Sequence, residues 1–446
     1  MPLTTLAQLR AGQLTGTRQL KLACGLTDFP REIFELADTL EELDLSGNHL
    51  TELPDDLPRL KALRILFCSD NHFTELPAVL GRCTQLHMVG FKANQIQHVP
   101  SAALAPSLRW LILTDNQISS LPASIGQCIH MQKLMLAGNR LTALPLELAQ
   151  CQQLELLRIS ANQLTALPGW LLALPRLAWL ACAGNPLNTR LSTPAATVSS
   201  PASADIDWSN LTLTHTMGEG ASGIIHAADW HQQGTVQSVA VKLFKGAVTS
   251  DGLPDHEMAA ALHAGPHPHL IGALGRLSGH PGAQQGIVMA RVAPHFQTLA
   301  GPPSFASCTR DVYADGTTFS AATVVGIAHS IASAAHHLHT RQLMHGDLYA
   351  HNILVHGAHA LLGDFGAASF NPGHDPAQAH SLQRLEVRAF GYLLQELLAN
   401  SPELFPADTA GATLHALCAD CLNESVEARP LFAEIEQTLA GLRDKL

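Results

Sequence analysis

Gly218-Glu-Gly220-Ala-Ser-Gly223, Val239-Ala-Val-Lys242, Glu257, His345-Gly-Asp347-Leu-Tyr-Ala-His-Asn352 and Asp364-Phe-Gly366 follow one another in this order. Each piece suits a phosphate-rich ligand. The three glycines lack a Cβ, so the backbone can approach phosphate oxygens, and Ile224-Ile225 reads as the return strand of a hairpin. Lys242 ends an alternating, strand-like run, where a point cation can hold phosphates once an acid fixes its position. Glu257 is the candidate acid, on a segment of good helix formers fifteen residues further on. Two carboxylates and a carboxamide, Asp347, Asp364 and Asn352, complete a set of charges suited to holding a metal and moving a proton.

Taken together, these motifs resemble those of protein kinases. The resemblance implies ATP and Mg²⁺ as cofactors, with Gly218, Gly220, Gly223 and Lys242 at the phosphates. It makes Asp347 the acceptor of the substrate hydroxyl proton, and Asn352 and Asp364 the Mg²⁺ ligands. Gly286-Ile-Val-Met-Ala-Arg-Val292 is similar to the strand entering a kinase hinge, with Met289 as gatekeeper and Ala290 to Val292 as the adenine-binding backbone. Leu385 to Leu397 looks like the buried central helix of the C-lobe, and Arg429-Pro430 like its closing segment. The likeness runs from about residue 208 to 446.

Four departures stand out. Gly346 replaces the arginine usual before the catalytic aspartate, so a phosphorylated activation segment is not expected to be needed. Gly366 and Glu386 are only twenty residues apart, with no Ala-Pro-Glu triplet, and Arg429 is expected to lose its usual acidic partner. Glu386 stands where the family has aspartate. The loop from Asp347 to Asn352 carries neither the lysine of serine/threonine kinases nor the arginine of tyrosine kinases. Serine/threonine specificity is expected as the commoner class. His-Gly-Asp also occurs in small-molecule kinases resembling aminoglycoside and choline kinases, and a catalytically idle ATP-binding scaffold is a third reading.

The N-terminal part repeats itself. Asn48, Asn71, Asn94, Asn116, Asn139, Asn162 and Asn185 are spaced 23, 23, 22, 23, 23 and 23 residues apart, each after an apolar-x-apolar-x-x step. So constant a period predicts a solenoid, and it resembles the leucine-rich repeat, with Cys24 marking a degenerate first unit after a helical cap. The fold expected is an α/β solenoid with a parallel sheet over 1–190, a flexible linker over 191–207, and an α+β bilobal kinase fold over 208–446. Strand alternation points residues five and three before each asparagine inward, and those six, four and two before it outward. Ile65, Phe67, Met88, Trp110, Ile112, Met135, Leu156 and Trp179 would then form an apolar stripe on the concave side. Such a stripe suits a protein partner or the chain's own kinase domain. The alternative is that these side chains lean over the strand edges and are half covered.

Net charge is −11 with no lysine or arginine run, which argues against nucleic acid and anionic membranes as partners. No stretch reaches eighteen uninterrupted apolar residues, and no signal peptide is read at Met1 to Arg10, unlike receptor kinases of this domain order. Nine cysteines at buried-type positions fit a reducing, cytoplasmic setting, although a secreted effector with an unread signal stays open. Cys418-x-x-Cys421 reads as packing. His336, His337 and His339 read as helix residues beneath the catalytic loop, not as metal ligands. An alanine-rich composition suits a bacterium. The Ser, Thr, Ala and Pro of 189–207 suit a tether whose Ser192, Thr193, Thr197, Ser199, Ser200 and Ser203 could be autophosphorylated.

Overall fold

The computed structural model describes residues 2–187, 204–220, 222–246, 248–249, 251–371, 375–404 and 409–445. The six candidate linker phosphoacceptors lie outside these residues. The chain divides into two compact units, Met1–Arg176 and Leu177–Leu446.

In the first unit a helix, α1 (Pro2–Arg10), precedes seven three-residue strands. These are β1 (Gln19–Lys21), β2 (Glu42–Asp44), β3 (Ile65–Phe67), β4 (Met88–Gly90), β5 (Trp110–Ile112), β6 (Lys133–Met135) and β7 (Leu156–Arg158). Each pairs in parallel with the next, one repeat per step, so Glu42, Ile65, Met88, Trp110, Lys133 and Leu156 share a row. Leu43, Leu66, Val89, Leu111, Leu134 and Leu157 point into the core and are essentially inaccessible. Short 3-10 turns and one helical turn, α2 (Gly169–Leu172), return the chain between strands.

The period is enforced by the asparagines. Asn116 Oδ1 accepts from Ile96 N at 2.9 Å, while its Nδ2 donates to Phe91 O at 2.9 Å and Leu113 O at 3.1 Å. One carboxamide thus satisfies buried backbone groups of two successive turns, which no apolar side chain could do. Asn48 does the same for the degenerate first unit, accepting from Cys24 N and Leu26 N.

The apolar stripe is partly self-covered. Ile65, Phe67, Trp110, Ile112 and Met135 are half-buried, and Met88 and Leu156 are each only 5% exposed. The Lys133 ammonium stands 4.3 Å from the Trp110 ring centroid, and the Trp110 indole N–H points at Met135 Sδ, 3.4 Å away. The Phe67 ring lies where a Cβ on Gly90 would otherwise be, 2.6 Å off.

The second unit opens with β8 (Trp179–Ala181), followed by β9 (Ala204–Asp207), β10 (Leu211–Glu219), β11 (Gly223–Gln232) and β12 (Thr235–Phe244). Helix α3 (Pro254–Ala264), β13 (Ala273–Ser278) and β14 (Gly286–Ala290) complete a six-stranded sheet in the order β10-β11-β12-β14-β13-β9. Here the expected linker is corrected. Residues 204–207 are a strand paired in parallel with β13, because Ile206, only 2% exposed, packs with Val239, Val241 and Val288 in the sheet's core.

The second lobe begins with β15 (Gln297–Thr298) and α4 (Ala321–Thr340), then β16 (Leu343–Met344), β17 (Ile353–His356), β18 (His359–Leu362) and β19 (Ser369–Phe370). Helices α5 (Pro376–Ala399), α6 (Thr409–Cys421) and α7 (Phe432–Arg443) follow. The buried central helix is where the sequence suggested, but it starts nine residues before Leu385. Asp375 caps it, accepting from Ala377 N, and Pro376 takes the first turn, where no amide hydrogen is required. The stretch between Gly366 and this helix is therefore shorter still than the spacing to Glu386 implied.

Candidate active site

The glycine hairpin forms at the tip of β10 and β11. Gly220 N–H donates to Gly223 O at 2.9 Å, closing the turn. A Cβ on Gly223 would come 2.5 Å from Leu243 O, so this glycine lets β11 lie close to β12. Nothing lies within 4 Å of where a Cβ would be on Gly218 or Gly220. That open side is the one a phosphate chain would use.

Lys242, on β12, is 6% exposed, and its Nζ forms an ion pair with Glu257 Oε1 from α3. Asp364 Oδ1 stands 3.5 Å from the same ammonium. Burial works against the lysine charge, but Asp364 and Glu257 outweigh it and hold the pKa above the ordinary range. Burial pushes Glu257 the other way, upward, and its second oxygen has no hydrogen-bond partner within the site. Asp364 sits at φ +56° with about half its side chain open, and its Oδ1 accepts from Gly366 N at 3.1 Å. Desolvation in the cleft raises its pKa, but Lys242 and the Gly366 amide prevail and leave it below the usual carboxylate value.

The loop from His345 to Asn352 is tied from beneath. Asn352 Nδ2 donates to Asp347 Oδ2 at 2.8 Å and to Asp347 O at 2.9 Å, which leaves the Asn352 carbonyl oxygen for a cation. His345 is completely buried; its Nδ1 accepts from Asp347 N at 3.3 Å, so its Nε2 donates to Gly363 O at 2.9 Å. Glu386, the acid longer than the family's aspartate, is 1% exposed. Its Oε1 accepts from Gly346 N at 2.7 Å, while its Oε2 accepts from His345 N at 3.3 Å and meets His339 Nε2 at 2.7 Å. Burial would raise Glu386, yet the hydrogen bonds from His339 and Gly346 help hold it below its ordinary value. The extra methylene lets one carboxylate reach both the loop and α4.

Sequence reasoning missed two residues in the irregular stretch before α4. The Asp311 carboxylate is fully enclosed, meeting His351 Nδ1 at 2.7 Å and His351 N at 3.0 Å, one residue before Asn352. Burial would lower the His351 pKa, but Asp311, helped by Asp347 and Asp364, outweighs it and raises the pKa above its ordinary value. Arg310 lays its guanidinium 3.4 Å from the Tyr392 ring centroid. An Arg-Asp pair in a coil rich in Gly, Pro and Ser gave no periodic signal. Trp179, expected on a face suited to a protein partner or to the chain's own kinase domain, is buried, with its indole N–H on Leu348 O. Arg429, 1% exposed, donates to the Asn423 and Arg384 carbonyls, and burial pulls its pKa down to about 10. In the hinge strand, Ala290 N–H is bonded to Gly272 O at 2.8 Å, so an adenine edge would use the Ala290 carbonyl and the backbone at Val292.

Residues 211–390 match the profile of the protein tyrosine and serine/threonine kinases, and residues 39–60 and 129–187 match leucine-rich repeat profiles. The chain therefore joins leucine-rich repeats to a protein kinase domain. It is 27% identical over 195 residues to the Angiopoietin-1 receptor of Danio rerio, which covers 41% of this chain but only 17% of that receptor. A solved leucine-rich repeat protein of Leptospira interrogans is 29% identical, covers 39% of this chain and 50% of its own, and superposes with a TM-score of 0.33. Among the described residues, no helix is long and apolar enough to cross a membrane.

A kinase domain implies ATP, usually with a divalent metal. The residues present fit both: an open glycine cradle, a buried cation beside it, the Asp364 carboxylate next to that cation, and the Asn352 carboxamide oxygen. Mg²⁺ shared with nucleotide phosphates needs no more protein ligands than that. No cluster of three or more His, Cys, Asp or Glu side chains able to hold a metal alone occurs among the described residues.

Proposed function

We propose that this chain is an ATP-dependent protein kinase acting on serine or threonine hydroxyls, with its leucine-rich repeats holding a protein partner or regulating the catalytic domain. The observation that carries the reading is the Lys242–Glu257 ion pair aimed at Asp364, opposite an Asp347 fixed by Asn352. Bound Mg-ATP would supply the phosphoryl group and neutralise its charge. Lys242 would orient the phosphates, Asp364 and Asn352 would hold Mg²⁺, and Asp347 would take the proton from the acceptor hydroxyl. Met289, Ala290 and Val292 would line the adenine.

A small-molecule kinase would need an open acidic pocket above Asp347. Asp311, the enclosed acid of the irregular segment, is engaged by His351, which supports a protein acceptor instead. All nine cysteines are free thiols, in keeping with a reducing, cytoplasmic setting. The half-buried stripe from Ile65 to Met135 remains the surface we assign to a protein ligand.

The test is phosphoamino-acid analysis of a generic protein substrate after incubation with labelled Mg-ATP, beside an aminoglycoside and choline panel. Label on phosphoserine or phosphothreonine supports the reading. Label on phosphotyrosine overturns the residue class, and label on the small molecules alone overturns the substrate class.

A further inference from the structure

The four residues Trp179 to Cys182 belong to the second unit, and all are buried. The Trp179 indole N–H donates to Leu348 O at 3.0 Å, one residue past the catalytic aspartate. Its ring lies on Tyr349 with centroids 4.2 Å apart and planes 6° from parallel, and stacks on Tyr392 of α5 at 5.4 Å. The Arg310 guanidinium lies over Tyr392 and is 5.6 Å from the Trp179 centroid, adding a cation to the stack. One residue on from Trp179, Leu180 O approaches Gly346 so closely that a Cβ there would come within 2.6 Å of it. Cys182 N–H then donates to Ser369 Oγ at 3.0 Å, on the strand that follows Asp364-Phe-Gly366.

These contacts fall on two segments, the catalytic loop at Gly346, Leu348 and Tyr349, and the post-Gly366 strand at Ser369. Those are the segments that an arginine at 346 would otherwise couple through a phosphorylated residue. Gly346 has φ +75° and no room for a side chain, so its backbone is shaped to admit Leu180. With the segment seated, Lys242 is paired with Glu257 and Asn352 holds Asp347. The seated arrangement is thus the assembled one.

We propose that residues 179–182 are a built-in brace for the catalytic loop and that Trp179 is its positioning residue, in place of control by phosphorylation. The proposal rests on the kinase reading. It makes the catalytic unit begin at Leu177, upstream of the glycine hairpin by some forty residues.

The experiment uses the full chain as wild type, Trp179→Ala and Trp179→Phe, read by amide hydrogen exchange and by steady-state kinetics. In Trp179→Ala, exchange in peptides covering 347–352 and 367–370 should rise at least about tenfold, while β10 to β12 stays unchanged. Its kcat should fall about 10- to 100-fold with KM for ATP within about threefold, because the loop and not the nucleotide site is loosened. Trp179→Phe keeps a ring on Tyr349 and should recover at least half of the wild-type kcat. It also serves as the reading should the alanine variant fail to fold. Unchanged exchange over 347–352, or kcat at or above wild type, overturns the brace. A wild type that transfers no phosphate defeats the kinase reading alone, since the exchange arm decides the brace independently.

Discussion

Gly346 shows how one residue decides what its neighbours can do. Read from sequence, it was a missing arginine; in the fold it is a left-handed position with Leu180 O and Ala367 O both 2.6 Å from any Cβ. Gly346→Ala should therefore lower the stability of the second unit by about 2–4 kcal/mol, combining the positive φ with overpacking, as read by urea unfolding. A change below about 0.5 kcal/mol would mean that Leu180 moves aside freely. Lys242, Glu257, Asp347, Asn352 and Asp364 could be picked out as candidates because phosphate chemistry would ask for those residue types in that order. For Trp179 the sequence left two occupants open, a protein partner or the chain's own kinase domain, because strand alternation says which way a side chain points, not what stands opposite. Asp311 was invisible, since its value depends on meeting His351 across 40 residues of chain.

At the scale of elements, two devices set stability. The asparagine ladder was fully readable, as a fixed period demands one role per unit. Asn116→Ala strands the Ile96 amide and the Phe91 and Leu113 carbonyls together, and should cost about 2–4 kcal/mol in denaturant unfolding of the repeats. Helix α5 carries two acids whose pKa values are shifted in opposite directions. Glu386, held low, contributes stability above its unfolded pKa of about 4.3 and loses it as pH falls through the lower folded value. Glu396 is raised to about 7, first by burial and then by Asp311, so its folded state holds the proton more tightly. Its contribution is complete below pH of about 4.3 and is lost as pH rises toward 7. Glu396→Gln should therefore flatten the decline in Tm between pH 5 and 7.5 and raise Tm above pH 7; an identical Tm-pH curve would contradict this. The sequence did offer the start of α5, in the Asp375-Pro376 pair. It could not offer β9, whose partner β13 lies 69 residues downstream and whose own four residues carry a weak strand signal.

For the whole molecule, the order of repeats and kinase was legible from two independent periodic or motif-rich signals. Composition ends the repeats at the Ser/Thr/Pro-rich stretch, and contacts group Leu177 to Leu187 with the second unit. The central claim is that these charged groups transfer phosphate, and it is tested most directly by labelled ATP turnover on the full chain with Mg²⁺, wild type against Asp347→Asn. The account predicts Mg²⁺-dependent label transfer that falls about 10²- to 10⁴-fold in Asp347→Asn while nucleotide affinity changes less than about threefold. Equal transfer by the two proteins, or none by wild type with Mg-ATP bound, would contradict it.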